Sequence, residues 1–188
     1  RMLAAPGFVA GGEIHLNSLE TPSLLNLSDE AMRQVRLSKI SYIPQGAMNS
    51  LNPVMRVAHQ LWDGIVAHEG ISDEAELKRR SDAALTSVGL DPEIVGPLYP
   101  HELSGGMKQR VCIAIGVSLG PDLIIADEPT SALDVITQRH VMQTLRDVQA
   151  EIGAGLILIG HDMGLMAHSV DEIAVLKKGE LVEFGPVR

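Results

Sequence analysis

Two short runs of uninterrupted apolar residues, separated by a segment with helical periodicity, constrain the fold of this chain more than any other feature. The runs are LIIA at residues 123–126 and LILI at residues 156–159. Between them, Val141, Leu145 and Val148 recur at the spacing of one helix face. Continuous apolar strands that alternate with helices are typical of a parallel α/β sheet covered on both faces. The sequence therefore predicts an α/β fold.

Length, charge and cysteine content limit the classes of protein to which the chain can belong. Its 188 residues suit one domain with an inserted lobe. The net charge of −9 makes it a poor candidate for broad nucleic-acid binding, which requires a basic face. Cys112 is the single cysteine, so a disulfide framework is excluded and a place in the core is expected.

Apolar periodicity and turn residues predict further elements along the chain. A strand is expected at residues 13–16, where apolar and polar residues alternate. Ser28, followed by two acidic residues, predicts the start of a helix that runs to about Leu37. The other expected elements are a strand at 39–43, helices at about 57–69 and 72–89, helices after Ser104 and His161, and strands at 173–176 and 181–184 around a turn.

Polar residues follow three of the predicted strands directly. Asp127 and Glu128 follow the first apolar run, His161 follows the second, and Gln45 follows the strand that ends at Pro44. In a parallel sheet, ligands gather at the carboxyl ends of the strands. We therefore expect these side chains to form one constellation, with His161 beside Glu128.

The residue types in this constellation suit phosphate chemistry. Asp127 is expected to hold Mg²⁺ through water, and Gln45 to ligate it through its amide oxygen. Glu128 would orient or deprotonate an attacking water, and His161 would donate to a γ-phosphate or hold that water. The alternative is that the two carboxylates are only a solvated pair at a turn after the strand. The presence of Gln45 and His161 at the ends of other predicted strands argues against this alternative.

A second candidate site lies in LSGGMKQR, residues 103–110. Ser104 is a candidate N-cap, while Gly105 and Gly106 allow an anion to approach the free amides at a helix start. A plain helix cap would explain a Ser-Gly-Gly start taken by itself. Here Gln109 and Arg110 follow directly, and the motif LIIADEPTSALD follows at residues 123–134. In that company an anion site is favoured over a plain cap.

Together these motifs resemble the nucleotide-binding subunit of an ABC transporter. LSGGMKQR resembles the family signature, LIIADE the Walker B strand and SALD (residues 131–134) the D-loop, while Gln45 and His161 match the Q-loop and H-loop. The stretches YIPQGAMNSLNPV and YPHELSGGMKQR further resemble the dipeptide/oligopeptide importer branch. The resemblance implies a P-loop NTPase-like, mostly parallel sheet flanked by helices, with an inserted helical lobe and part of an antiparallel β subdomain.

The same resemblance implies a division of the chain and of its site residues. Residues 1–48 would form a partial N-terminal core and β subdomain ending in the Q-loop, 49–103 the helical lobe, and 104–188 the C-terminal core. Asp127, Glu128, Gln45 and His161 would serve the chain's own ATP and Mg²⁺. The residues expected to bind the nucleotide held by a partner chain are Ser104, Gly105, Gly106, Gln109 and Asp134.

One family motif is missing from the sequence. No G-x-x-x-x-G-K-[ST] loop, the Walker A motif, occurs in the 188 residues, and they contain no Gly-Lys pair. Residues 2–7 resemble the remnant of the helix that follows this loop, and peptide importers of the family usually continue past the equivalent of Pro186. By this resemblance the chain is expected to be truncated at both ends. We expect such a fragment to bind ATP poorly and to be inactive alone, whereas the parent protein would be a transport ATPase.

The partners implied by the resemblance are a second ATPase subunit in a head-to-tail dimer, transmembrane permease subunits that contact residues 45–61, and indirectly a solute-binding protein. The expected location is the cytoplasmic face of the cell membrane, through the permease. Two alternatives stay open. One is a segment of a soluble ABC-type ATPase of chromosome maintenance or DNA repair, against which the acidic charge and the compact lobe argue. The other is a non-catalytic interaction fragment.

Overall fold

A computed structural model of the chain describes residues 7–20, 23–46 and 50–187. Its helices are α1 (Asp29–Val35), α2 (Val57–Glu69), α3 (Glu74–Ser87), α4 (Pro92–Val95), α5 (Gly105–Val117), α6 (Val135–Ile152) and α7 (Met163–Ala167), with short 3₁₀ turns at Leu24–Asn26 and Pro100–Glu102. Its strands are β1 (Ile40–Ile43), β2 (Leu123–Asp127), β3 (Gly155–Ile159), β4 (Glu172–Lys177) and β5 (Glu180–Pro186). The predicted helix remnant at residues 2–7 lies almost wholly outside the described residues.

The chain forms two compact units, residues 1–36 and 37–188. In the first unit, the Ser28 hydroxyl accepts from the amide of Ala31 at 3.2 Å and caps α1, which confirms the predicted helix start. The strand predicted at residues 13–16 is wrong. The Ile14 amide donates to the Ser23 hydroxyl, and the Ile14 carbonyl accepts from Leu24, so this backbone is bonded to a turn and forms no ladder.

The second unit is built on a parallel sheet in the order β1-β2-β3. Ile43 pairs with Ala126, and Ala126 pairs with Leu158, so these residues share one face of the sheet. Helix α6 provides the long crossover that parallel strands require between β2 and β3. This arrangement confirms the predicted α/β class.

The two faces of the sheet differ in burial. Ile43, Ile124 and Ala126 are buried in one hydrophobic core together with residues of α5 and α6. On the other face, Tyr42 and Ile157 are each 49% exposed. The prediction of a sheet covered on both faces is therefore wrong for the described part of this unit, because α5 and α6 contribute to the core on one side only.

Helix α5 approaches β1 closely at Gly116. A Cβ atom added there would lie 2.7 Å from the Ser41 hydroxyl oxygen and 3.5 Å from Ile43 Cγ1. The Ser41 hydroxyl is itself buried without a hydrogen-bond partner in the described structure. Glycine at position 116 therefore sets the distance between the helix and the strand that leads to Gln45.

The helical segment between β1 and α5 packs on the same core. Helix α2 covers the predicted residues 57–69, and α3 begins after Asp73, whose carboxylate accepts from the amide of Ala75. The Arg110 guanidinium, from α5, donates to the Gly89 carbonyl at 3.0 Å beyond the end of α3. The predicted division of the chain at residues 48 and 103 stays a prediction.

Strands β4 and β5 form an antiparallel hairpin, as predicted. Its turn places Lys178 and Gly179 in the left-handed backbone region, with φ of 53° and 83°. No helix in the described portion of the chain has both the length and the apolar character needed to cross a bilayer.

Candidate active site

The carboxyl ends of the three parallel strands bring Gln45, Glu128 and His161 together. The Gln45 side-chain amide donates to Glu128 Oε2 at 2.7 Å. His161 Nδ1 lies 2.9 Å from Glu128 Oε1. Each carboxylate oxygen of Glu128 thus has a partner from a neighbouring strand end, which confirms the predicted proximity.

The backbone of Glu128 explains how this side chain reaches its partners. Its φ of 44° lies in the left-handed region, which is uncommon for a residue with a side chain. The Glu128 amide donates to the Ile159 carbonyl at 2.9 Å, and its carbonyl accepts from Ser131 at 3.0 Å. If β2 continued as a strand, the side chain after Asp127 would point to the opposite face of the sheet from Asp127. The left-handed turn breaks this alternation and lets Asp127 and Glu128 serve the same end of the sheet.

The contact between His161 and Glu128 defines the state of the imidazole ring. An ionised carboxylate only accepts hydrogen bonds, so Nδ1 must carry the proton that it donates to Glu128. In the neutral ring, Nε2 is then an acceptor, and it becomes a donor only when the ring is charged. The His161 side chain is 83% exposed and that of Glu128 24% exposed, so the ring is open to an incoming substrate or water.

Asp127 has a partner that sequence reasoning missed. The Tyr42 hydroxyl donates to Asp127 Oδ2 at 3.0 Å. Partial desolvation of the phenol and this hydrogen bond raise the pKa of Tyr42. Tyr42 pairs with Ile125 in the sheet, two residues before Asp127 on the same face, so the strand register carries the signal that would have revealed it.

The donors at this sheet edge fit a magnesium ion. Asp127 offers a carboxylate, and the bond from Gln45 to Glu128 uses the amide nitrogen and not the amide oxygen that a metal would bind. Across the described ranges, no three His, Cys, Asp or Glu side chains are grouped to hold a metal. Mg²⁺ suits such a sparse site because it keeps water and takes phosphate oxygens as ligands.

The second predicted site lies at the starts of α5 and α6. The Ser104 hydroxyl accepts from the Met107 amide at 3.3 Å, which confirms the predicted N-cap. Asp134 caps α6 by accepting from the amides of Ile136 and Thr137 at 3.1 and 3.0 Å. A cavity of about 650 Å³ is lined by both helix starts, including Gly105.

The structure does not bring Gln109 to this cavity. Its side chain is 3% exposed, and its amide nitrogen is buried without a hydrogen-bond partner in the described structure. Ser104, Gly105, Gly106 and Asp134 all line the cavity, and Gln109 does not. Its predicted contact with a nucleotide stays a prediction, and it requires the side chain to leave the core.

The motifs and their geometry agree with a comparison of protein families. The profile of the family described as ABC transporter matches residues 3–131. The chain belongs to the ABC transporter family. Among its relatives in that family, it is similar to the oligopeptide transport ATP-binding protein OppD of Bacillus subtilis (strain 168), with 43% identity over 97% of this chain and 50% of that protein.

Two further ABC relatives show the same partial coverage. The dipeptide transport ATP-binding protein DppD of Caldanaerobacter subterraneus subsp. tengcongensis is 42% identical over 86% of this chain and 49% of its own length. The glutathione import ATP-binding protein GsiA of Salmonella typhi is 44% identical over 85% of this chain and 26% of its own length. The chain thus spans half or less of the length of these three relatives.

A solved ABC cassette has the same fold. The ATP-binding cassette MJ0796, in a dimeric post-hydrolysis state bound to ADP and Pi, superposes with a TM-score of 0.79. It is 28% identical, and the match covers 95% of this chain and 75% of MJ0796. The parallel sheet with its helices therefore belongs to the architecture of ABC ATPase cassettes.

Proposed function

We propose that the chain carries the hydrolytic residues of an ABC subunit that uses ATP to drive peptide import. The observation that carries this proposal is the bonding of Glu128 to Gln45 and His161 at three adjacent strand ends. The names of OppD and DppD support peptides as the transported class. These names also favour transport over chromosome maintenance or DNA repair.

Glu128 is the proposed general base. Its carboxylate would orient the attacking water and accept its proton as the water oxygen bonds to the γ-phosphorus, while the bond from that phosphorus to the bridging oxygen breaks and ADP leaves. Gln45 and His161 fix both oxygens of this carboxylate and so restrict its rotation. His161, when charged, would donate from Nε2 to the phosphate oxygens.

Asp127 and Gln45 are the proposed magnesium-binding side chains. Mg²⁺, when bound, would neutralise charge on the phosphate oxygens. Tyr42 holds one oxygen of Asp127, so the carboxylate would present the other oxygen to the ion or to its water.

We propose that the other half of the nucleotide site is supplied to a second chain. Gly105, Gly106 and the Ser104 cap would bind the phosphates of an ATP held by a head-to-tail partner, with Asp134 beside them. The dimeric ADP-bound and Pi-bound state named for MJ0796 supports this arrangement. Permease subunits would bind near residues 45–61, of which 47–49 lie outside the described residues, and would hold the chain at the cytoplasmic face of the cell membrane. A solute-binding protein would act on the chain only indirectly, through the permease.

The sequence has no G-x-x-x-x-G-K-[ST] loop, which in ABC ATPases supplies most of the phosphate-binding amides and a lysine. We therefore expect these 188 residues by themselves to bind ATP weakly and to hydrolyse it negligibly. An ATPase rate typical of a complete subunit, measured on this stretch alone, would overturn that expectation.

The proposed function is tested with the complete protein and its permease in liposomes. We expect ATP-dependent uptake of a labelled peptide, with phosphate release that Glu128→Gln abolishes. The matched control is Glu151→Gln, an exposed carboxylate on α6, which should leave both rates unchanged. The absence of ATP hydrolysis in the wild-type assembly would reject the proposal and favour a non-catalytic role.

A further inference from the structure

Thr137 joins two segments that are far apart in sequence. Its hydroxyl donates to Asp134 Oδ2 at 2.6 Å, while the same carboxylate accepts from the Thr137 amide at 3.0 Å. Thr137 lines the cavity that also reaches the start of α5 at residues 104–106. One side of this residue therefore belongs to the Asp134 turn.

The methyl group of Thr137 faces the other segment. A Cβ atom added to Gly106 would lie 2.6 Å from Thr137 Cγ2. Gly106 is not among the glycines with positive φ in the described structure, so glycine is needed here for space and not for an unusual backbone. The hydroxyl bond to Asp134 fixes the rotamer of this β-branched side chain, which also fixes the direction of its methyl group.

We infer that Thr137 is a positioning residue that couples the start of α5 (residues 104–106) to the Asp134 turn. The hydroxyl sets the Asp134 carboxylate, and the methyl group sets how closely the start of α5 approaches α6. Thr137 would thereby hold a fixed distance between the two segments that would meet the partner's ATP. This part of the inference rests on the proposed function.

A local helix cap is the competing explanation for the same residue. A threonine in the first turn of α6 that bonds the N-cap aspartate needs no contact elsewhere. Such a cap does not account for the close fit to Gly106, 31 positions earlier in the sequence. The two explanations differ in what happens at the start of α5 when Thr137 changes.

Thr137→Ser and Thr137→Val separate the two contacts. Serine keeps the hydroxyl and removes the methyl group, while valine keeps a methyl group and removes the hydroxyl. The readout is amide hydrogen exchange of Met107 and Lys108 in the nucleotide-free protein, since both amides donate to Ser104. We expect Thr137→Ser to raise the exchange rates of these two amides by about threefold or more, which corresponds to the coupling typical of two residues in contact. Unchanged rates would show that Thr137 is a local cap only.

A compensating pair of substitutions tests the contact directly. Gly106→Ala should disturb the same amides, because its new methyl group meets that of Thr137. Gly106→Ala combined with Thr137→Ser should return the exchange rates toward wild type, because serine lacks the atom that clashes. A double variant as disturbed as Gly106→Ala would overturn the inference. Thr86→Ser is the control, since that hydroxyl, on α3 and away from the cavity, bonds only locally to the Asp82 carbonyl among the described contacts, and no change is expected.

The link to function is tested in the assembled, permease-bound ATPase. Thr137→Ser should lower kcat several-fold while the ATP affinity of the chain's own site, measured with a fluorescent ATP analogue, stays unchanged. A normal kcat together with altered exchange would overturn the positioning role. A wild-type assembly that does not hydrolyse ATP would instead reject the proposed function, and the exchange results would still decide whether the two segments are coupled.

Discussion

The strand-end cluster (Gln45, Glu128 and His161) and the helix-start cluster (residues 104–106 with Asp134 and Thr137) are held by different kinds of contact. In the first, Gln45 and His161 both bond to the Glu128 carboxylate, from which they are 83 and 33 residues away in sequence. In the second, most bonds join a side chain to a backbone amide two or three residues away. The first cluster depends on sheet register, whereas the second is largely set by local helix caps.

This difference teaches where each cluster is vulnerable. The strand-end cluster should lose chemistry without losing stability, because Gln45 and His161 are exposed and the side chains of the cluster bond mainly to each other. It should also respond to core changes that shift a strand. The helix-start cluster should respond to substitutions in its own turns. The predictions below test this contrast.

Of the tests of this contrast, His161→Ala in the assembled ATPase should have the largest effect. Removal of the ring frees one oxygen of Glu128 and removes a candidate phosphate donor, so kcat should fall by about 100-fold. The thermal midpoint should stay unchanged, since the ring is 83% exposed. His168→Ala, an exposed histidine after α7, is the matched control and should keep full activity. Loss of stability together with activity would contradict a purely chemical role.

A large effect on stability is expected for Gly116→Ala. The added methyl group would meet the Ser41 hydroxyl and the Ile43 side chain, both on β1, and such overpacking costs about 1–3 kcal/mol. Urea unfolding measures the loss. Ser41→Ala should restore much of it in the double variant, because it removes the crowded oxygen, which is buried and has no partner in the described structure. Additive losses in the double variant would show that the crowding lies elsewhere.

The sequence predicted which residues form the strand-end cluster, but not all of the contacts and backbone geometry that hold them. Gln45, Glu128 and His161 were brought together by one rule, that parallel strands present their carboxyl ends at the same edge. Tyr42 was missed because its role depends on the register between β1 and β2, which periodicity does not specify. The left-handed backbone of Glu128 was also outside the pattern, because its φ of 44° goes with bonds to Ile159 and Ser131 that periodicity does not show.

The helix-start cluster was predictable where it is local. Ser104 was expected as an N-cap and is one, because capping chemistry is visible within four residues of sequence. Gln109 was expected at the nucleotide and is instead 3% exposed, since helix periodicity at α5 places it against the core. Thr137 was missed because its partner Gly106 is brought close only by the packing of α5 on α6.

A moderate effect is expected for Tyr42→Phe. The variant keeps the ring and removes the hydrogen bond to Asp127 Oδ2, so the carboxylate rotates more freely. The Mg²⁺ concentration for half-maximal ATPase activity should rise by about threefold, equivalent to the loss of one modest hydrogen bond. The KM for ATP at saturating Mg²⁺ should not change. A change in that KM alone would place Tyr42 in nucleotide binding.

The smallest effect is expected for Asp134→Asn, and it depends on pH. Bonds from the Thr137 hydroxyl and from backbone amides hold the pKa of Asp134 below its ordinary value. The ionised form therefore stabilises the fold above the unfolded pKa, and this contribution is lost as pH falls through the lower folded pKa. Wild type should be slightly more stable than the variant near neutral pH, and the gap should close below about pH 4. A gap that persists in acid would exclude the charge as its cause.

The left-handed backbone at Glu128 has a consequence for how this site would change under selection. Glycine adopts that conformation without the steric cost that a side chain brings, which is of order 1 kcal/mol or more. Selection of variants for thermal endurance alone should therefore favour Glu128→Gly, and such survivors would have no carboxylate for Gln45 and His161 to hold. If glutamate is instead retained at position 128 when variants are selected in the laboratory for function, then hydrolysis, and not folding, is the property that preserves it.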